Sequence, residues 1–455
     1  MSWKNLKTAS SWIVIFGLGA VFLVITSQSN VGQKTTTPAA AWTVYNPDPN
    51  HIWNRLYRTF YRRESRDHHE YGYDELDPLL WVTTKYLLTN PASHQALTVL
   101  DEFLSTHGEN VINDPLKRAM LQRDLWAIFD WTTGCVECIK QSTNTSAAKL
   151  NLQTRLVQVI KRLALSQEQI AALPDTYKQA IDAGVFAKAY DSNNPEQSFL
   201  PPDLFDPKGP WVALSVRGGD LMAPGHVSAF SGRSVFSVFM RLPGGRAATL
   251  DYLRTLAFFR NPWLLDPETQ QPLPNPDLPQ FPAGTQLALV RRMVLIDAQG
   301  ELRPTNIIED VQIRVHRTIP TVVPNELNCN RNEARAALDV YEFKLTRTKL
   351  FAHEDGGLHS LTKTDTEFPL FGSHDIDLFE ENFSRFDRML RVSLEACASC
   401  HFRPGVHSML SRGQRVGNPE NGELLPSWNL NYETDGTRWW KGRQFSWGLL
   451  QGLWN

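Results

Sequence analysis

Cysteine is scarce in this chain, five among 455 residues, which excludes a disulfide scaffold at this size and leaves apolar burial to supply the stability. A net charge of −2 removes the electrostatic case for nucleic acid or an anionic membrane surface as a partner. There is no long run of like charge, no heptad seam and no fixed-period repeat, so coiled coils and solenoids are excluded. The signatures of common enzymes are missing too: no G-x-S-x-G, no H-E-x-x-H, no phosphate loop and no dinucleotide-binding glycine pattern. What is present is ordinary globular composition, 42% hydrophobic and 21% charged, in a chain long enough for two or three cored domains.

The N-terminus carries the compartment signal. Lys4 and Lys7 precede an uncharged apolar run over residues 12–25, shorter than the roughly twenty residues of a membrane span and suited to a signal-peptide core. Ser27-Gln28-Ser29 is a small-x-small cleavage site, weaker than A-x-A, so a cleaved signal and an uncleaved anchor to the cytoplasmic membrane both stay open. In either case the lysines remain inside and the rest of the chain is expected to be exported to the periplasm. No cysteine follows the run to carry a lipid.

Towards the other end stands Cys397-Ala398-Ser399-Cys400-His401, a single C-x-x-C-H. With so few cysteines and twelve histidines, chance would produce this pentapeptide roughly once in several hundred such chains. The five residues resemble the haem-attachment site of c-type cytochromes, and the resemblance covers them alone. It implies covalent haem c, with Cys397 and Cys400 bonded to the vinyl groups and His401 as an axial iron ligand. It also implies attachment outside the cytoplasmic membrane, in keeping with the exported N-terminus, and redox partner proteins that the sequence does not name. The sequence departs from the usual pattern after the motif: beyond Met409 there is neither Met nor His. His407 and Met409 are too near His401 to pass round a haem edge, so a distal ligand has to come from upstream. His226, His353, His359, His374 and Met389 are candidates, and an open sixth position is the other possibility. The competing expectation is a non-redox exported protein in which C-x-x-C pairs close disulfides, or in which Cys135, Cys138, Cys397 and Cys400 share a zinc ion.

The fold class predicted is α+β: a helical N-terminal half, a mixed or antiparallel sheet region, and a C-terminal helix carrying the haem c motif. Composition shifts divide the chain into 1–29 (signal or anchor), 30–75 (linker and aromatic, basic segment), 76–192 (helical), 193–370 (β-rich) and 371–455 (haem segment with aromatic tail). Trp53, Leu56, Tyr57 and Phe60 have helical spacing and read as core. Asp114-Pro115 sets a cap and first-turn proline before one apolar stripe, and Ser166 with Gln169 forms a capping box. Strands are predicted at 211–216, 234–240 and 287–296, with a turn at 297–300. Gln312, Arg314 and His316 alternate with Val311, Ile313 and Val315, and Glu342, Lys344 and Thr346 with Tyr341, Phe343 and Leu345. That alternation predicts an antiparallel sheet with one wet face, His316 on the wet side. Asp377 with Glu380 can cap a helix through Phe383, Phe386, Leu390 and Leu394 into the motif.

The remaining candidate groups read as loop residues. These are the run Asp67-His68-His69-Glu70, His353-Glu354-Asp355 and His374-Asp375. The tail tryptophans are expected to dock a helical stripe of Trp447, Leu450 and Trp454 on the main body, with haem cover as the alternative. Arg403, Arg412 and Arg415 are candidates for pairing with haem carboxylates, or are surface charges.

Overall fold

A computed structural model describes residues 43–64, 70–72, 74, 85–88, 90–133, 143–216, 221–257, 259, 263–265, 267–268, 272–319, 336–367, 391–394, 401, 405–409, 424–427 and 431–455. Helices begin where side chains satisfy their free N–H groups. His51 accepts from Trp53 N–H ahead of α1 (Ile52–Tyr61), which buries Trp53, Leu56, Tyr57 and Phe60. α2 spans Ala92–Ser105. Asp114 Oδ1 accepts from Leu116 N–H at 2.8 Å at the start of α3 (Pro115–Thr133). α4 (Thr143–Leu163) lays Leu152, Leu156, Val159, Ile160 and Leu163 into the core. The capping box at Ser166 and Gln169 opens α5 (Gln167–Ala171), and Asp175 caps α6 (Thr176–Ala183).

The β region follows as β1 (Val212–Val216), β2 (Ser234–Arg241), β3 (Gln286–Ile296), β4 (Leu302–His316), β5 (Leu338–Leu345) and β6 (Leu358–Ser360), with β7 (Leu424–Pro426) returning from the C-terminal segment. α7 (Pro224–Ala229), α8 (Gly245–Ala257) and α9 (Arg347–Phe351) punctuate them, and α10 (Tyr432–Gly442) and α11 (Phe445–Trp454) end the chain. Strands β1 to β6 form an antiparallel meander, and β7 pairs with β1, giving the order β6-β5-β4-β3-β2-β1-β7. The fold is therefore α+β with an antiparallel sheet. The β3–β4 turn is held by Asp297, whose carboxylate accepts from Gln299 N–H, Glu301 N–H and Arg303 Nε. Between α8 and β3 lies the short antiparallel pair Trp263–Leu265 and Pro272–Pro274.

The pleat sends alternate residues to two cores. Val235, Phe239, Ala288, Val290, Val311, Ile313, Val315, Tyr341 and Phe343 face the helices α1 to α6 and the buried Leu450 and Trp454 of α11. Phe236, Val238, Met240 and Leu287 face α7, α8, Leu278, Phe281 and Val406. On this second face polar residues of β3, β4 and β5 are buried, so it is not wet. His316 is 1% exposed, Glu342 2%, Arg291 5% and Asp310 7%. Alternation identifies which residues share a face; it does not say whether another segment covers that face. Here the turn Gly405–Ser408 supplies part of the cover, with Val406, His407 and Ser408 buried.

Arg391–Val392 is a short strand paired with Thr366–Glu367. Within the helix expected through Leu394, Arg391 and Val392 are therefore extended and Ser393 and Leu394 helical; the residues before Arg391 and from 395 to 400 lie outside the described set. All described residues fall in one compact unit, 36–455, and the helical and sheet residues share the first core.

Candidate functional site

Two histidines 175 positions apart in the sequence meet on the second face of the sheet. His226 sits on α7, a short helix started by Pro224 at its first turn, where the missing N–H costs nothing. The helix lies along β2, with the His226 ring 5.4 Å from Phe236. Its end is fixed by Gly232, which at φ 68° donates its N–H to Val227 O at 2.8 Å. A Cβ on Gly232 would come 3.0 Å from Trp440 Cε3, so the bare backbone lets α10 close over this turn. At the other end of α7, Met222 N–H donates to Glu433 Oε2 on α10 at 3.2 Å.

Glu433 Oε1 is buried without a hydrogen-bond partner among the described residues. Burial pushes this carboxyl up to about 7, against the opposing pull of the Met222 N–H. A carboxyl that keeps its proton longer in the folded chain contributes stability below its unfolded value, and that contribution is lost as pH rises through about 7. Glu433→Gln should therefore match the wild type near pH 5 and exceed it by on the order of 3 kcal/mol at pH 8. Denaturant midpoints at the two pH values check this; a wild type–variant difference that does not change with pH would sink it.

His401, the last residue of the motif, lies opposite His226. The two ring centroids are 6.3 Å apart and the planes 9° from parallel. Parallel five-membered rings at that separation do not overlap. His401 Nδ1 is 2.7 Å from Ser408 O. A carbonyl can only accept, so Nδ1 carries the proton and Nε2 keeps its lone pair. Arg314 Nη1 donates to the same carbonyl at 3.2 Å. The turn bearing Ser408 is itself anchored: Val406 is in the second core, and its N–H donates to Gln280 Oε1 at 2.9 Å. Gln280 Nε2 approaches His407 Nδ1 at 3.3 Å.

The surroundings favour neutral imidazoles. Burial, then the Arg314 and Arg291 charges, lower His226 to about 4. Burial and Arg314 hold His401 well below the ordinary histidine value, opposed by the Ser408 carbonyl. His316, edge-on to Phe281 at 4.7 Å, is lowered to about 3 by burial and Arg314. On the same sheet face, burial and the neighbouring Glu342 raise Asp310 well above the carboxylate range. Neutral imidazoles are metal ligands, and imidazolium is not.

These residues fit a haem group. His401 has the ligand tautomer fixed by a backbone carbonyl, as metal-bound histidines do. Val227, Phe230, Phe236 and Val406 of the second core offer apolar surface. Arg314 suits the carboxylates that haem carries. Among the described residues His316 Nε2 is a buried polar atom without a hydrogen-bond partner, consistent with a site that a ligand completes. Among the described residues no three His, Cys, Asp or Glu side chains converge closely enough to hold a bare ion.

Of the sequence candidates, the structure brings together His401 and His226. His353 is exposed, at φ 58° just after α9, and His359 places Nδ1 2.8 Å from Lys344 O at the sheet edge. Asp355 pairs with Lys349 at 2.6 Å. Cys135, Cys138, Cys329, Cys397, Cys400, Asp67, His68, His69, His374, Met389, Arg403, Arg412, Arg415 and residues 12–25 lie outside the described residues. No described helix is long and apolar enough to cross a membrane. The tail docks as a stripe: Leu450 and Trp454 are buried in the first core and Trp447 packs against it, while Trp439 is 63% exposed. Sequence reasoning missed Arg314 and Gln280 altogether, because one was read as solvent-facing and the other sits in a proline-rich stretch. Compared with known proteins, the chain matches no family model, no curated protein and no solved structure.

Proposed function

We propose that the chain is an exported mono-haem c-type cytochrome-like protein, which holds haem c through Cys397, Cys400 and His401 and exchanges single electrons with redox partner proteins. The observation that carries this reading is the setting of His401. The motif histidine is neutral, its Nδ1–H is committed to Ser408 O at 2.7 Å, and its Nε2 is left as the coordinating nitrogen. Bound haem would supply the one-electron chemistry. The protein's own contributions are orientation of that imidazole, an apolar lining and the Arg314 charge beside it. Nothing in the enzyme signatures or the described side-chain clusters adds a substrate or a hydrolytic step.

The test is direct. The chain is expressed with its N-terminal segment in cells that contain the haem-attachment machinery, denatured, and examined by intact mass and pyridine haemochrome spectrum. One covalent haem is the expected result, with iron ligation altered in His401→Ala. Absence of haem, with the thiols oxidised or with zinc lost on changing any of Cys135, Cys138, Cys397 or Cys400, would replace this reading with the non-redox one.

A further inference from the structure

We propose that His226 is the second axial ligand, so that the iron is six-coordinate between two histidines. This rests on the haem reading above. Metal–imidazole bonds are about 2.0–2.1 Å and the ring centre lies about 1.1 Å beyond the nitrogen, so imidazoles trans across one metal have centres about 6.4 Å apart. Two imidazoles on a tetrahedral ion would be about 5.2 Å apart. The observed 6.3 Å matches the trans separation and not the tetrahedral one.

The two histidines also arrive on separately anchored pieces of backbone, as opposing ligands must. His401 is tied through Ser408 O to Arg314 of β4. His226 is tied through α7: Met222, two residues before the helix, bonds Glu433, and Gly232, three residues after it, lies against Trp440. Both also reach the sheet, His401 by way of Arg314 of β4 and His226 beside Phe236 of β2. His226 precedes the motif by far more chain than a haem edge requires, which removes the objection to His407 and Met409. A centre filled on both sides is an electron-transfer site, with no open position for peroxide or a gas.

The near-parallel ring planes, 9° apart, lead to a spectroscopic expectation for the wild-type holoprotein. Its ferric form should be low-spin with a rhombic electron paramagnetic resonance signal, unlike the highly anisotropic signal of crossed imidazoles. The ferrous form should take up carbon monoxide only slowly, by displacing a ligand. His226→Ala should keep covalent haem by mass yet turn high-spin and bind carbon monoxide at once, and added imidazole should restore the low-spin spectrum. His226→Met should remain low-spin and gain a sulfur-to-iron charge-transfer band. A wild-type holoprotein that is high-spin, or a His226→Ala holoprotein with an unchanged low-spin spectrum, overturns the assignment while leaving the haem reading intact. A wild-type chain without haem overturns both, and the mass tells the cases apart.

Discussion

Asp130→Asn should destabilise the protein by on the order of 3–5 kcal/mol, the range for stripping a buried charge of its partner. Asp130 is 2% exposed on α3 and holds two cations at once. Lys441 Nζ of α10 donates to its two oxygens at 2.9 and 2.7 Å, and Arg233 Nη1 donates to Oδ2 at 2.7 Å. Both cations are 0% exposed. The asparagine is isosteric, so the change removes charge and leaves shape. Burial lowers Lys441 to about 8 even with Asp130 opposing it. A lysine whose folded value is depressed binds fewer protons than the unfolded chain between about 8 and its unfolded value near 10.5, so its contribution to stability rises with pH across that window. Without Asp130 that window extends downward, and the variant should recover part of its loss between pH 7 and 9. Lys441→Met added to Asp130→Asn should recover part of it at pH 7. The check is the urea midpoint at unchanged slope; a loss below about 1 kcal/mol would show the network to be solvated.

That network illustrates what the sequence concealed. The apolar stripes of α1, α3 and α4, the caps at Asp114 and Ser166, and strands β1 to β3 were all legible, because period and cap chemistry are local. α3 also buries Gln122, Arg123, Asp124 and Asp130, and a helix with four such residues reads as having a wet side. Each is satisfied only by distant partners: Gln122 by Ile296 O and Ile296 N–H, Arg123 by Glu309. The same limit explains His316 and Arg314. Their strand and their face were readable from alternation, whereas the covering turn at Gly405–Ser408 is about ninety residues downstream. For the site, the motif marked His401 unaided, while for a distal ligand the chain pattern offered only upstream examples, five of them named, with an open sixth position as the alternative. That His226 meets His401 follows from α7 lying on β2, a tertiary fact with no local signature.

Arg347→Met should cost about 3–5 kcal/mol as well, by leaving the Asp124 carboxylate buried without its cation. Arg347, at the start of α9, is 0% exposed. Its Nε donates to Asp124 Oδ2 at 2.9 Å, Nη2 donates to Asp124 Oδ1, and Nη1 donates to Asp74 O at 2.5 Å. The guanidinium also lies 5.1 Å from the ring centres of both Tyr57 and Tyr61 of α1. Tyr45 completes the cluster, its hydroxyl donating to Asp124 Oδ2 at 3.0 Å. Methionine fills similar length without charge, so the deficit is electrostatic. A buried carboxylate that has lost its arginine can relieve itself by taking a proton, hence the loss should shrink as pH falls from 8 to 5. Adding Asp124→Asn should return most of the stability at pH 8 while making little difference at pH 5. The spectrum of the proposed haem should not respond, since Tyr45, Tyr57 and Tyr61 of this cluster belong to the first core and Phe236, beside His226, to the second. Urea midpoints of the single and double variants at both pH values separate the two contributions. An equal loss at pH 5 and 8, unrelieved by Asp124→Asn, would mean that the arginine acts through its packing on the two tyrosines and not through its charge.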